Sequence, residues 1–185
     1  MKTESSFGKS ALATPANAVT ITRLLISPIL LVMIASGGAS WPAVGFWFVL
    51  CVTDGVDGYI ARRQGATNSG AFLDPLADKV LVLGALAALV SRGDLWWVPA
   101  TLIGAREIAV SLYRSRLGQR GISVPARWWA KVKTVVTEVA IGFALLPLTT
   151  DAQWLYKSLI WVAVVLTLVT GTQYFLEGGR EARAS

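Results

Sequence analysis

Four aspartates stand in two closely spaced pairs, Asp54 with Asp57 and Asp74 with Asp78. On a helix that turns about 100° per residue, residues three or four apart share one face, so each pair presents two carboxylates in one direction. Between the two pairs, the seven residues Arg63–Ser69 include Gly65 and favour a turn. We therefore expect two antiparallel helices whose acidic faces meet.

Carboxylate oxygens are the ligands that suit Mg²⁺, Mn²⁺ or Ca²⁺, and two divalent ions would balance four negative charges. Two metals about 3.5–4 Å apart commonly clamp an in-line displacement at phosphorus. Gly58 and Ala61 fall on the face of the first pair and leave room for a ligand to approach the helix. The alternative is that the acids only pair with Arg or Lys between helices, a costly use of four carboxylates at membrane depth.

The helices that position these acids are apolar. The 185 residues are 54% hydrophobic and 15% charged, against about 25% charged in soluble domains. No charge occurs from Leu24 to Thr53, and the glycines and Pro42 between residues 37 and 42 break this stretch into two helices. We predict an all-α polytopic membrane protein with six spans of about 20 residues each. The predicted spans are Asn17–Ser36, Trp41–Arg62, Gly70–Ser91, Trp96–Arg116, Arg127–Leu148 and Trp154–Phe175.

The distribution of Lys and Arg sets the orientation of these spans. Basic residues concentrate in both tails, after span two and after span four, so we place these segments in the cytoplasm. The ionisable residues of the middle spans then lie in the cytoplasmic halves, and they predict a polar cavity open to the cytoplasm. The predicted organisation is a cytoplasmic tail over 1–16, a transmembrane catalytic domain over 17–177 and a cytoplasmic tail over 178–185. This topology fits a bacterial inner membrane.

The residue inventory excludes several kinds of chemistry. There is no histidine, which removes Ser-His-Asp, Cys-His and His-ligated zinc sites. The single Cys51 excludes an internal disulfide or a CxxC site. The net charge of +6 indicates cytoplasmic loops and contact with anionic lipids, and we expect no nucleic-acid partner. Small residues of span six, Gly171 among them, are compatible with a homodimer face.

The acidic stretch resembles the signature of the CDP-alcohol phosphatidyltransferases, D-x-x-D-G-x-x-A-R followed by a spacer and G-x-x-x-D-x-x-x-D. Its eight positions are filled by Asp54, Asp57, Gly58, Ala61, Arg62, Gly70, Asp74 and Asp78. Asn17-x-x-Thr20-x-x-Arg23 is similar to the family's entry segment. The segments from Arg106 to Arg114 and from Lys131 to Thr134 resemble a branch that uses glycerol 3-phosphate as acceptor.

The resemblance implies an enzyme that transfers a phosphatidyl group from CDP-diacylglycerol to an alcohol and releases CMP, with two Mg²⁺ or Mn²⁺ ions. It implies that Asp54, Asp57, Asp74 and Asp78 bind the metals and that Asp78 also takes the proton of the attacking hydroxyl. The implied residues for CDP-diacylglycerol are Thr20, Gly58, Ala61, Arg62 and Gly70. The candidates for the phosphate of the acceptor are Arg106, Arg114, Lys131 and Lys133.

Some assignments stay open at this level. Lys131 and Lys133 are about 200° apart on a helix, so both can serve one site only at a turn or a helix start. Arg106 could instead form an ion pair, for which Glu138 or an aspartate is expected rather than the adjacent Glu107. The acceptor could be phosphatidylglycerol, as in a cardiolipin synthase, or an inositol phosphate. A divalent-cation transporter is the alternative of another class, although the outer halves of spans two to five are apolar.

Overall fold

A computed structural model describes the backbone of residues 15–64, 70–119 and 128–184, and the side chains of 18–55, 76–119 and 128–181. In these ranges the chain forms six α-helices, one short 3-10 turn and no strand, so the prediction of an all-α protein is confirmed. The helices are α1 Pro15–Gly37, α2 Trp41–Gln64, α3 Gly70–Ser91, α4 Trp97–Gln119, α5 Trp128–Leu145 and α6 Gln153–Ala184. The 3-10 turn Pro147–Thr149 lies between α5 and α6.

Glycine ends two of the helices where the sequence predicts a break. Gly38 follows α1 with φ 67°, and Gly93 follows α3 with φ 82°, a backbone region that glycine enters without steric cost. The amide of Gly38 donates a hydrogen bond to the carbonyl of Ile34 at 3.1 Å, which closes the last turn of α1. The chain can therefore reverse within three residues and begin α2 at Trp41.

Three connections meet at one end of the bundle. The amide of Ser40 donates to the carbonyl of Leu145 at 3.0 Å, and the Tyr156 hydroxyl donates to the carbonyl of Asp94 at 3.0 Å. The first bond joins the segment after α1 to the end of α5, and the second joins the segment after α3 to the start of α6. Because each helix crosses the bundle once, the acidic and basic halves of the middle helices gather at the opposite end.

The interior of the bundle is apolar near the connected end and more polar toward the other end. On α1, Leu30 and Ile34 are buried in the apolar core near the connected end, whereas Thr20, Arg23 and Ser27 are buried toward the other end. Many large apolar side chains of the helices face outward instead, among them Leu25, Val32, Phe48, Leu112 and Val165. Polar residues inside and apolar residues outside are what a membrane environment selects.

Two of the described helical segments are long and apolar enough to cross a membrane, Ala18–Gly37 and Gln153–Glu181. The middle helices carry ionisable residues such as Asp54, Asp78 and Glu107 within their lengths. The chain thus has the features of a membrane-associated protein, and six spans remain a prediction. The last helix continues to Ala184, beyond the predicted end of span six at Phe175.

Candidate active site

The candidate site begins with an ion pair between α1 and α2. Nη1 of Arg23 donates to Oδ1 of Asp54. The Arg23 side chain is only 1% exposed, while that of Asp54 is 37% exposed. A buried guanidinium thus holds one oxygen of a carboxylate that remains accessible. Sequence reasoning noted Arg23 only within the entry segment, although it is the sole ionisable residue of α1.

Asp78 of α3 lies on a cavity between α3, α4 and α5. The cavity is lined by Asp78, Lys79, Val82, Leu83, Ile103, Glu107, Lys133, Thr134 and Thr137. Asp78 interacts electrostatically with Asp54 across the helices, and Glu138 of α5 interacts with both. Three carboxylates from three helices therefore share one electrostatic environment.

Glu107 connects the cavity to two cations. Nζ of Lys133 donates to Oε1 of Glu107, and Nη1 of Arg106 donates to the same oxygen at 2.9 Å. The Lys133 side chain is 8% exposed and the Glu107 side chain is 18% exposed. Charges this deep require a partner, because removing an ion from water is costly. The sequence indicated Glu107 only as a less expected partner of Arg106, and its contact with Lys133 was not predicted.

The expectation that Arg106 pairs with Glu138 or an aspartate rather than with Glu107 is wrong. Arg106 binds the adjacent Glu107, and its Nη2 donates to Oγ1 of Thr170 on α6 at 3.1 Å. The flexible stem of Arg106 lets the guanidinium lie between α4 and α6 and still reach the neighbouring carboxylate. The spacing of residues along a helix does not predict how far such a flexible side chain extends.

The other acceptor candidates are less closely grouped. Nε of Arg114 donates to the Tyr174 hydroxyl at 3.3 Å, and its guanidinium carbon lies 5.4 Å from the centre of that ring. Arg114 is two helical turns beyond Arg106 along α4. Lys131 is exposed, whereas Lys133, two residues later, is buried. The structure thus brings Arg106 and Lys133 together through Glu107 and leaves Lys131 on another face of α5.

The remaining predicted site residues fall where only the backbone is described. Asp57, Gly58, Ala61 and Arg62 lie in α2, while Gly70 and Asp74 lie in α3, as predicted. Their side chains are outside the described residues. Thr20, which the sequence also predicts to contact CDP-diacylglycerol, is buried on α1 one turn before Arg23.

The carboxylate groups among the described residues have the chemistry of ligands for a divalent cation. Asp54 on α2 and Asp78 on α3 offer carboxylate oxygens, and their charges interact. A hard cation prefers such oxygen ligands and would offset this repulsion. Among the described side chains no group of three or more His, Cys, Asp or Glu residues is close enough to hold a metal, and Asp57 and Asp74 are not among them.

Comparison with known proteins gives a consistent result. The model of a family described as CDP-alcohol phosphatidyltransferase matches residues 13–169. A Mycobacterium tuberculosis (strain H37Rv) protein named probable phosphatidylglycerophosphate synthase is 39% identical over 181 residues, covering 94% of this chain and 86% of its own.

Two further relatives carry the name CDP-diacylglycerol–glycerol-3-phosphate 3-phosphatidyltransferase. The protein from Salmonella choleraesuis (strain SC-B67) is 38% identical, covering 84% of this chain and 90% of its own. The protein from Haemophilus influenzae (strain KW20) is 34% identical, covering 84% and 88%. The similarity therefore extends over nearly whole chains.

Proposed function

Because the chain belongs to the CDP-alcohol phosphatidyltransferase family, we propose that it transfers the phosphatidyl group of CDP-diacylglycerol to glycerol 3-phosphate. The hydroxyl oxygen of the acceptor bonds to the phosphatidyl phosphorus, the bond from this phosphorus to the CMP oxygen breaks, and the hydroxyl proton passes to a base. The products are phosphatidylglycerophosphate and CMP. Relatives named for this reaction, at 34–39% identity, support both the donor and the acceptor.

The observation that carries the proposal is the cavity that contains Asp78 and Lys133 together. A carboxylate can accept a hydroxyl proton, and an ammonium group can hold an anionic substrate beside it. Histidine is absent from the chain, so an aspartate is the reasonable base. We assign this role to Asp78, which lies on the cavity between three helices.

Asp54, Asp57, Asp74 and Asp78 are the proposed ligands of two divalent ions, Mg²⁺ or Mn²⁺. Bound metal supplies positive charge to the donor phosphates and to the departing CMP. Arg23 contributes to this arrangement by holding one oxygen of Asp54, which fixes the direction of the carboxylate. Thr20, Gly58, Ala61, Arg62 and Gly70 are the proposed contacts of CDP-diacylglycerol.

Arg106, Arg114, Lys131 and Lys133 are the proposed acceptor residues. The burial of Lys133 and Arg106 and their shared bond to Glu107 support a fixed cationic site near Asp78. Arg106 and Lys133 supply two positive charges, which suit the phosphate of an acceptor. The exposed position of Lys131 gives it the weakest support of the four.

We further propose that the six helices all span the membrane, with the site and both termini in the cytoplasm of a bacterial cell. The two apolar segments and the membrane-enzyme family support this arrangement. The inward ionisable residues of the middle helices would then face the cavity rather than lipid.

An acceptor panel tests the proposed reaction. Purified protein in detergent receives CDP-diacylglycerol labelled in its acyl chains, Mg²⁺ and one of glycerol 3-phosphate, phosphatidylglycerol or inositol phosphate. We expect labelled phosphatidylglycerophosphate with glycerol 3-phosphate and no labelled product with the other two. Product with only another acceptor would refute the acceptor assignment and retain the family chemistry.

A further inference from the structure

Two glycines of α6 each face a long side chain of α4. A Cβ at Gly171 would lie 3.0 Å from Cγ and 3.1 Å from Nε of Arg106, and a Cβ at Gly178 would lie 2.6 Å from Cε1 of Tyr113. The glycines are seven residues apart, as are Arg106 and Tyr113, and seven residues are almost two helical turns. The two helices therefore run parallel, with their register set by these contacts.

Thr170, beside the first of these glycines, holds the guanidinium of Arg106. The buried Thr170 hydroxyl donates to the carbonyl of Leu166 at 2.7 Å, so its oxygen is turned to accept from Nη2 of Arg106. Nη1 of Arg106 is held by Glu107. Nε of Arg106 is buried and has no hydrogen-bond partner among the described residues. The orientation of the guanidinium thus depends on Thr170 and Glu107.

These contacts form one continuous network from α6 to the cavity. Thr170 holds Arg106, Arg106 binds Glu107, and Glu107 binds Lys133 at the wall of the cavity. The match to the family model ends at residue 169, so both Thr170 and Gly171 lie just beyond it.

We propose that Thr170 and Gly171 are positioning residues for the phosphate of the acceptor, because they hold Arg106 in the network that ends at Lys133 on the wall of the cavity. This inference rests on the proposed function. An arginine fork that is already fixed loses less freedom when it binds phosphate. A methyl group at residue 171 would displace the stem of Arg106, and loss of the hydroxyl at residue 170 would release its Nη2.

Steady-state kinetics of CMP release tests the proposal, with glycerol 3-phosphate and CDP-diacylglycerol varied in turn. The variants are Thr170→Val, Thr170→Ser and Gly171→Ala. Thr172→Val is the matched control, because Thr172 is exposed on the same helix and its hydroxyl also donates to a helix carbonyl, that of Leu168, at 2.9 Å.

We expect Thr170→Val and Gly171→Ala to raise KM for glycerol 3-phosphate about tenfold, which corresponds to about 1.4 kcal/mol. KM for CDP-diacylglycerol should stay unchanged, and Thr170→Ser and Thr172→Val should resemble the wild type. An unchanged acceptor KM in both variants would overturn the proposal. So would equal losses toward both substrates, or failure of both variants to fold, since either result indicates a purely structural role. Absence of acceptor-dependent release in the wild type would instead refute the proposed function.

Discussion

The ammonium group of Lys133 on α5 donates a hydrogen bond to Glu107 on α4, and both side chains line the cavity that contains Asp78. Glu107 also binds Arg106, so one carboxylate orients two cations. This arrangement places positive charge beside the proposed base without leaving any of the three charges unpaired. It is the feature of the structure that best accounts for an anionic acceptor.

Variants of the Lys133–Glu107 pair can distinguish a contribution to the stability of the protein from a contribution to its activity. Glu107→Leu leaves a buried lysine without its carboxylate and should lower the free energy of unfolding by about 3–5 kcal/mol. The double variant Glu107→Leu/Lys133→Met should recover the part of this loss that comes from Lys133, because an apolar pair avoids the cost of burying that charge. The part that comes from Arg106 should remain, since Arg106 then keeps only its bond to Thr170. Thermal unfolding in detergent measures the first effect, and CMP release measures activity. Recovery of activity together with stability in the double variant would argue against an acceptor role for Lys133.

Asp78→Asn should reduce turnover by at least about 10²-fold, the lower range for loss of a general acid or base. Asn keeps the size and polarity of the side chain but cannot take the hydroxyl proton at neutral pH. Asp94→Asn is the matched control, since Asp94 lies at the connected end and pairs with Arg92. Turnover is measured as CMP release from protein whose thermal unfolding is unchanged. Near-normal turnover in Asp78→Asn would remove Asp78 from the role of base.

Removal of divalent cations should abolish CMP release, and Mg²⁺ or Mn²⁺ should restore it. Loss of one proposed ligand weakens binding of the metals, so Asp57→Asn should need a higher Mg²⁺ concentration for half-maximal rate. Titration of Mg²⁺ into chelator-treated protein measures this concentration for the wild type and the variant. Full activity in the presence of excess chelator would contradict the metal site.

The proposed topology can be tested through the single Cys51. In a Cys51→Ala background, Thr150→Cys places a thiol at the connected end and Ser10→Cys places one in the N-terminal tail. A membrane-impermeant thiol reagent should label Thr150→Cys in intact spheroplasts and Ser10→Cys only after lysis. The reverse pattern would invert the proposed orientation and put the site outside the cytoplasm.

The helices could be predicted from the sequence because their signals are local. Apolar runs of about 20 residues ended by glycine or proline placed the second helix at 41–62, and the structure has Trp41–Gln64. The third helix agrees at both ends, Gly70–Ser91. The extension of α6 to Ala184 was not predicted, because its last turns lack an apolar run and pack against α4 through Gly178.

The candidate site could be predicted only in part, for a related reason. Spacing along one helix predicts which residues share a face, and it correctly warned that Lys131 and Lys133 point apart. It contains no information on which helix lies opposite, so the contact between Thr170 and Arg106 could not be predicted. It also misled for Arg106, whose flexible stem reaches the adjacent Glu107. Two features of the sequence pointed to the ion pairs of the site: Arg23, the lone arginine of α1, and Glu107, the acid beside Arg106. Their partners became clear only from the fold.

The most direct test of the account is CMP release by the purified wild-type protein in detergent, with CDP-diacylglycerol and Mg²⁺, with and without glycerol 3-phosphate. We predict release that requires glycerol 3-phosphate and yields one CMP per phosphatidylglycerophosphate formed. Folded protein that releases no CMP with glycerol 3-phosphate would contradict the account.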